Sequence, residues 1–310
     1  MARRLLQTAY VVVVMSMIIF AAVRFAPGDP AVARLGMEAS RAGLEETRRQ
    51  MGLDKPIPVQ YLIWVGNIFQ GDLGVSLSYS AEYPVADLVW EKLKRTVPLT
   101  LTAMAFGVGV ALPMGIVAGL RPFTWLDNVI SAVSLFGIAA PSFWVGLMLI
   151  LFFAVQLGWL PTSGYGPIGG GFEWKHFVLP TVSLGIQLLG ALTRYMRSGM
   201  LDVMSADYIR TARAKGMPYG VVVVRHAIKN AMLTVVTVIA LDFGGLLAGS
   251  LVTETVFRWP GVGLLLVDAI QARDFAIIQM VVLVTAIIYI MINLLADIVY
   301  GYIDPRIRFE

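Results

Sequence analysis

Six stretches of roughly twenty residues, free of charge except at one point, constrain this chain more than anything else in it. They centre on Leu5–Val23, Thr96–Leu120, Val129–Leu157, Phe177–Thr193, Asn230–Thr253 and Phe275–Ala296, and Asp242 in the fifth is the single interruption. A helix rises about 1.5 Å per residue and a bilayer's hydrocarbon core is about 30 Å thick, so each stretch is long enough to be a membrane span. The chain is 58% hydrophobic and 14% charged, with a mean hydropathy of +0.76, beyond the usual range of a soluble domain. The reading is an all-α integral membrane protein with six transmembrane helices. Arg3 and Arg4 precede the first stretch as they would a signal peptide, but its 19 uncharged residues and the lack of a clear A-x-A site predict a retained span.

Short flanking loops set the orientation. With the N-terminus inside, the inner segments carry Arg3, Arg4, Arg121, Arg194, Arg197, Arg210, Arg213, Lys215, Arg225, Lys229, Arg306 and Arg308, against Lys175, Arg258 and Arg273 outside. That asymmetry predicts both termini in the cytoplasm. The segment from Pro27 to Arg95 balances its basic residues with acidic ones and is too long to weigh in this rule.

Three regions follow: an N-terminal span over 1–26, an extracytoplasmic helical segment over 27–95, and a five-helix core over 96–310 with an inner loop at about 199–229. Leu44–Met51 and Val59–Phe69 have helical apolar spacing, separated by Lys55-Pro56-Ile57-Pro58. So small a segment must lean on the outer ends of the spans. Pro161–Phe172, rich in Gly, reads as a flexible outer loop. Pro98, Pro113, Pro141 and Pro180 predict local kinks, and the pairs Gly115/Gly119 and Gly245/Gly249 predict close helix packing.

Several chemistries lack their residues. There is no Cys, and His176 and His226 stand far apart without a second ligand at metal spacing, so no metal or cofactor site is expected. No G-x-x-x-x-G-K-[ST] phosphate loop, G-x-S-x-G elbow or H-E-x-x-H occurs, so the chain is not expected to be an enzyme. Most clustered cations flank apolar stretches, which points to the bilayer and not to nucleic acid.

The inner loop holds Asp207-Tyr208-Ile209-Arg210-Thr211-Ala212-Arg213-Ala214-Lys215-Gly216. Ser205 is placed to cap a helix start, Asp207 suits its positive end and Lys215 its negative end; Gly216 permits a left-handed turn, and Pro218 stops continuation. A helix of about ten residues is predicted. Tyr208, Thr211, Ala212 and Lys215 fall on one face at three- or four-residue spacing. A basic helix of this kind serves either to rest on anionic lipid or to dock another protein.

This stretch, continued by Arg225-His226-Ala227-Ile228-Lys229-Asn230-Ala231, resembles the EAA loop of binding-protein-dependent ABC importer permeases, in the dipeptide/oligopeptide and nickel branch. Arg210, Thr211 and Ala212 take the first three places of that motif and Gly216 the last. Phe25–Pro30, Gly71–Ser76 and Glu254–Gly263 resemble further stretches of the B-type subunit, as does the long segment directly after span one. Two positions depart from the branch: Leu233-Thr234 stands where Leu-Pro is usual, predicting a softer kink into span five, and Leu264 stands where a basic residue is common.

The resemblance implies a permease subunit of an ATP-driven importer of dipeptides, oligopeptides or related small solutes in a bacterial or archaeal cytoplasmic membrane. Its implied partners are a homologous C-type permease, two ATPase subunits that use ATP and Mg, and an extracytoplasmic substrate-binding protein. Tyr208, Arg210, Thr211, Ala212, Lys215 and Gly216 would then form the ATPase-coupling site. Asp242, near the middle of span five, is a candidate for the translocation path, since a lone carboxylate there must face protein or water. The rival is an ion-gradient-driven secondary transporter, which calls for more intramembrane ionisable groups and for inverted repeats; only Asp242 qualifies and no repeat is apparent.

Overall fold

The apolar stretches fold as helices. The computed structural model describes residues 2–25, 30–35, 40–50, 52–76, 79, 83–167 and 171–303, and its account of side chains omits 2–5, 30, 33–34, 50, 234, 237, 240, 248–249 and 296–303. Among the described residues there is no strand, only an isolated antiparallel bridge between Val75 and Pro84. The helices are α1 (Ala2–Phe25), α2 (Pro30–Leu35), α3 (Arg41–Gln50), α4 (Ile57–Phe69), α5 (Val85–Leu120), α6 (Trp125–Ala139), α7 (Ser142–Leu149), α8 (Lys175–Ser205), α9 (Asp207–Ala214), α10 (Tyr219–Val221), α11 (Lys229–Val256), α12 (Val262–Ala272) and α13 (Phe275–Ile303). π-helical turns continue α7 over Ile150–Gln156 and join α10 to α11 over Val222–Ile228. Among the described residues, α1, α5, α8 and α13 are long and apolar enough to cross a membrane, and one bent pair of helices is so only when its two arms are taken together.

In the stretch Val129–Leu157 the local kink expected at Pro141 is a sharp break. The chain turns by 109° between Trp125–Ala139 and Ser142–Gln156. Ala140 is extended, with ψ of 128°, as the residue before a proline prefers, and Pro141 then starts the next helix. Pro98, Pro113 and Pro180 instead lie inside continuous helices. The Phe25–Pro30 motif falls largely on positions 26–29, and Arg306 and Arg308 in the C-terminal stretch, so both lie outside the described residues.

The chain divides into two units. The first comprises Met1–Thr96 and Pro260–Met291. Its core gathers Ile19 of α1, Val85, Leu88 and Val89 of α5, Val262, Leu265 and Ala269 of α12, and Ile277, Met280, Val281 and Leu283 of α13. Trp64 and Ile68 of α4 pack against it. Phe20 meets Tyr61 and Trp64 at ring distances of 5.5 Å, and the Ser16 and Tyr61 hydroxyls share a 2.8 Å hydrogen bond. Buried Asp274 caps α13 and accepts hydrogen bonds from the Ser76 hydroxyl (2.7 Å) and the Tyr79 amide (3.2 Å). Leu264 is buried in α12, the position where the branch often carries a charge. Helix α12 itself was not anticipated; the stretch after span five reads as an outer loop in sequence.

The second unit comprises Val97–Trp259 and Ile292–Glu310, and α8 is its centre. Glycines let backbones approach α8 from two sides. A Cβ added to Gly115 would lie 2.6 Å from the Met196 Cβ, and one added to Gly119 would lie 2.5 Å from that of Met200. Gly185 of α8 sits as closely under the Ala103 carbonyl of α5, and Gly190 under the Ser134 carbonyl of α6. The pair Gly115/Gly119 is thus packing within this subunit. Gly245 has nothing within 4 Å of an added Cβ, and position 249 lies outside the described side chains.

In the stretch Pro161–Phe172, the described residues make long-range contacts that the Gly-rich composition does not suggest. The Gly164 amide donates to the Phe257 carbonyl at 2.9 Å, and Tyr165 packs on the fully buried Trp259 at 5.0 Å between ring centres. Phe177 meets the same indole at 5.1 Å. Long-range aromatic burial, absent from any local pattern, outweighs the glycines here.

Gly119→Leu is expected to destabilise the protein by about 1–3 kcal/mol through overpacking against Met200, whereas Gly245→Ala should leave it unchanged. Thermal melting of the detergent-purified chain, followed by size-exclusion chromatography, reads the difference.

Candidate functional site

The region expected as an inner loop is mostly helical: α8 runs on to Ser205, α9 follows after Ala206 alone, and α10 with its π turns leads into α11. Ser205 does not cap α9. Its hydroxyl donates back to the Asp202 carbonyl at 2.8 Å, within α8, and extended Ala206 takes the N-cap place without a side-chain hydrogen bond. A serine one residue too early spends its hydroxyl on the preceding helix. The helix has 8 residues, somewhat fewer than anticipated.

Its C-terminus follows the residue pattern. Gly216 is left-handed at φ 77°, its amide donates to the Arg213 carbonyl (2.9 Å), and the Met217 amide reaches the Ala212 carbonyl (3.3 Å). These two bonds make a Schellman motif, which closes the orphan carbonyls of the last turn. Nothing lies within 4 Å of a Cβ built on Gly216, so backbone conformation alone demands glycine there.

Burial divides the predicted face. Ile209 and Ala212 are buried in the core with Met200, Val222, Val223, Ala227 and Ala231. Tyr208, Arg210, Thr211 and Lys215 are exposed. Ala212 is therefore a seat residue and not part of the free face, because Ile209 and Ala212, three positions apart, form the apolar stripe that faces the core. The Asn230 amide donates to the Tyr208 hydroxyl at 3.2 Å and to the His226 carbonyl at 2.7 Å, tying α9 to the start of α11. Arg213 stands over the Tyr219 ring at 5.8 Å. Helix α11 runs on through Leu233-Thr234, in keeping with the softer entry into span five expected there; the irregular backbone comes earlier, in the π turns that contain Arg225 and His226.

Asp242 lies half-buried in the middle of α11, away from α9 in sequence, and the described residues give it no hydrogen-bond or ion-pair partner. The structure does not bring it into the α9 cluster. One ionic site escaped the sequence reading. Buried Asp127, in the first turn of α6, accepts from Arg197 of α8 through two hydrogen bonds, Nε to Oδ1 at 2.6 Å and Nη2 to Oδ2 at 2.8 Å. Only a short loop, Arg121-Pro122-Phe123-Thr124, before an apolar run and an Arg three positions beyond Arg194 marked it in sequence; nothing local links two residues 70 positions apart. The described residues assemble no group of three His, Cys, Asp or Glu side chains able to hold a metal ion.

Comparison with known proteins agrees with this architecture. Residues 111–309 match the binding-protein-dependent transport system inner membrane component, and residues 1–104 match the N-terminal region of such membrane components. The chain belongs to this family of ABC transporter permeases, multi-pass proteins of the inner membrane. Among its relatives are the glutathione transport system permease proteins GsiC of Escherichia coli K12 and Shigella dysenteriae, each 40% identical over 308 residues, covering 99% of this chain and 98% of the relative. In fold it is similar to the MetNI methionine ABC transporter (TM-score 0.57, 18% identity, 70% of this chain and 96% of that one). An amino acid ABC transporter gives a TM-score of 0.55 at 16% identity, over 70% of this chain and 94% of that one.

Ile209→Ala should unseat α9, at a cost of about 2–5 kcal/mol by analogy with other buried Ile truncations. Hydrogen exchange should rise across 207–231, while exchange in α5 stays as in the parent protein.

Proposed function

We propose that this chain is the B-type permease subunit of an ATP-driven importer of the peptide and nickel branch, a non-catalytic six-span protein with both termini in the cytoplasm. It pairs with a homologous C-type permease. Two ATPase subunits bind at α9, use ATP and Mg, and an extracytoplasmic binding protein delivers the solute. Dipeptides, oligopeptides and peptide-like solutes such as glutathione are the substrate class; the GsiC relatives, matched end to end, support it. The absence of a phosphate loop from the sequence supports an energy source on another chain.

The observation that carries the coupling reading is the seating of α9. Ile209 and Ala212 anchor it in the unit's own core, while Tyr208, Arg210, Thr211 and Lys215 are left exposed. A short helix held from below and free above can pass a push to α8, which is joined to it through Ala206 alone. ATP binding then favours one arrangement of the spans through contacts that differ between states. A secondary transporter would need intramembrane ionisable groups for its coupling ion, and Asp242 alone interrupts the uncharged runs.

Gly216→Val is expected to weaken ATPase association, because a β-branched residue resists the left-handed turn by about 1–2 kcal/mol, while Gly216→Asn, which tolerates that turn, should retain most of it. Co-purification of the ATPases with each variant measures this. Equal recovery with Val and Asn would remove the docking role. For Asp242, a place on the translocation path predicts that Asp242→Asn leaves assembly intact and slows uptake of peptides with a free amino terminus. Proteoliposome uptake at unchanged complex yield tests it; unaltered uptake would assign Asp242 a purely structural role.

A further inference from the structure

We propose that Asp127 and Arg197 are positioning residues for energy coupling: they form the clamp that carries displacement of α9 and α8 into the bent helix pair α6–α7. This rests on the docking of ATPases at α9 proposed above.

The clamp is built with several independent contacts. Asp127 is 2% exposed, and beyond its two bonds to Arg197 it accepts from the Phe123 amide (2.9 Å) and the Ser131 hydroxyl (3.3 Å). Its own amide is capped by the Thr124 hydroxyl at 3.4 Å. Phe123 adopts a left-handed conformation, φ 62°, with its ring almost fully exposed, which a bulky residue does only when its surroundings hold it. The carboxylate therefore fixes both the turn that enters α6 and the first turn of α6 itself. Arg197 supplies a planar fork matched to a carboxylate, a directional contact that a lysine cannot reproduce.

Beyond it, the α6–α8 contact is largely backbone on backbone, save for one hydrogen bond at the far end, where the Gln187 amide of α8 donates to the Ala140 carbonyl at 3.4 Å. Gly137 faces the Ile186 carbonyl and Gly190 faces the Ser134 carbonyl, so the two backbones touch over smooth surface. Among the described residues, Asp127–Arg197 is the ion pair that links these helices. Arg197 stands eight positions before Ser205, about 12 Å along the helix axis at 1.5 Å per residue. A push on α9 enters the end of α8 and meets the clamp within two or so turns. Through Asp127 it pulls on the start of α6, whose far end is the 109° bend at Ala140–Pro141. Without the clamp, the start of α6 is free to slide along the glycine contacts, and α8 holds the bend only through Gln187 on the Ala140 carbonyl and Ser183 on the Ser142 carbonyl.

The test uses the whole reconstituted complex and reads ATP hydrolysed per solute imported. Asp127→Asn and Arg197→Gln should co-purify with the ATPases and raise this ratio about fivefold or more, the scale of typical coupling free energies. Arg197→Lys, which keeps the charge and loses the fork, should fall between them and the parent. A clamp that served stability alone would lower complex yield, or lower hydrolysis and uptake in proportion, leaving the ratio unchanged; that result overturns the proposal. A second measurement needs no clamp variant. Because the chain has no native Cys, spin labels at Leu135→Cys and Ser198→Cys report the α6–α8 distance directly. It should be the same in nucleotide-free and ATP-trapped complexes, and a change between them overturns the clamp. Failure of the docking reading shows elsewhere, as ATPase association insensitive to Gly216→Val.

Discussion

Close backbone approach to α8 is the constraint on which the second unit depends. Several helices meet this one, and glycines at 115, 119, 185 and 190 remove the side chains that would hold α5 and α6 away. In hydrocarbon there is little hydrophobic gain in pressing one apolar helix on another, so packing contact and backbone proximity have to supply the association. Methionines fill the space opposite: Met196 and Met200 lie over Gly115 and Gly119, flexible side chains against bare backbone. The polar contacts of α8 then stand out against a uniform apolar field. Ser183 donates to the Ser142 carbonyl just past the bend, and Arg197 grips Asp127 just before α6 becomes apolar.

Helix α9 grows out of the same helix. Because α8 ends and α9 begins around the single extended residue Ala206, the short helix inherits its position from a long and deeply packed one. Its lower face joins the α8 core through Ile209 and Ala212, and its C-terminus is closed by the left-handed turn at Gly216. The π turns at Val222–Ile228 bring Val222, Val223 and Ala227 under it, a register that a regular helix would rotate away. Buried apolar contacts lie on one side of α9 and exposed Arg210, Arg213 and Lys215 on the other, and in this region irregular backbone is confined to the connection into α11.

Local signals were readable wherever one chemical rule decided the outcome. Gly216 followed by Pro218 marked the end of α9, since few residues other than glycine adopt that turn readily. The Lys55–Pro58 break between α3 and α4 was legible for the same reason. Ser205 misled because N-cap preference is strong but position-sensitive; a hydroxyl one residue early has a nearer carbonyl to serve. Ala212 misled because a small residue suits a docking face and a tight core equally. The proline at 141 broke its helix and those at 98, 113 and 180 did not, although all four look alike in sequence.

The sequence by itself determined that this chain is helical and apolar along six stretches, that one cationic helix ends at Gly216, and that its motifs belong to a family of importer permeases. Those properties follow from residue type and short spacing, which act within a turn or two of helix. Tertiary structure alone decided the 109° bend, the burial of Ile209 and Ala212, the ordering of Tyr165 on Trp259 and the meeting of Asp127 with Arg197. Each of these depends on which distant helix surface lies opposite, and period and composition carry no record of that pairing.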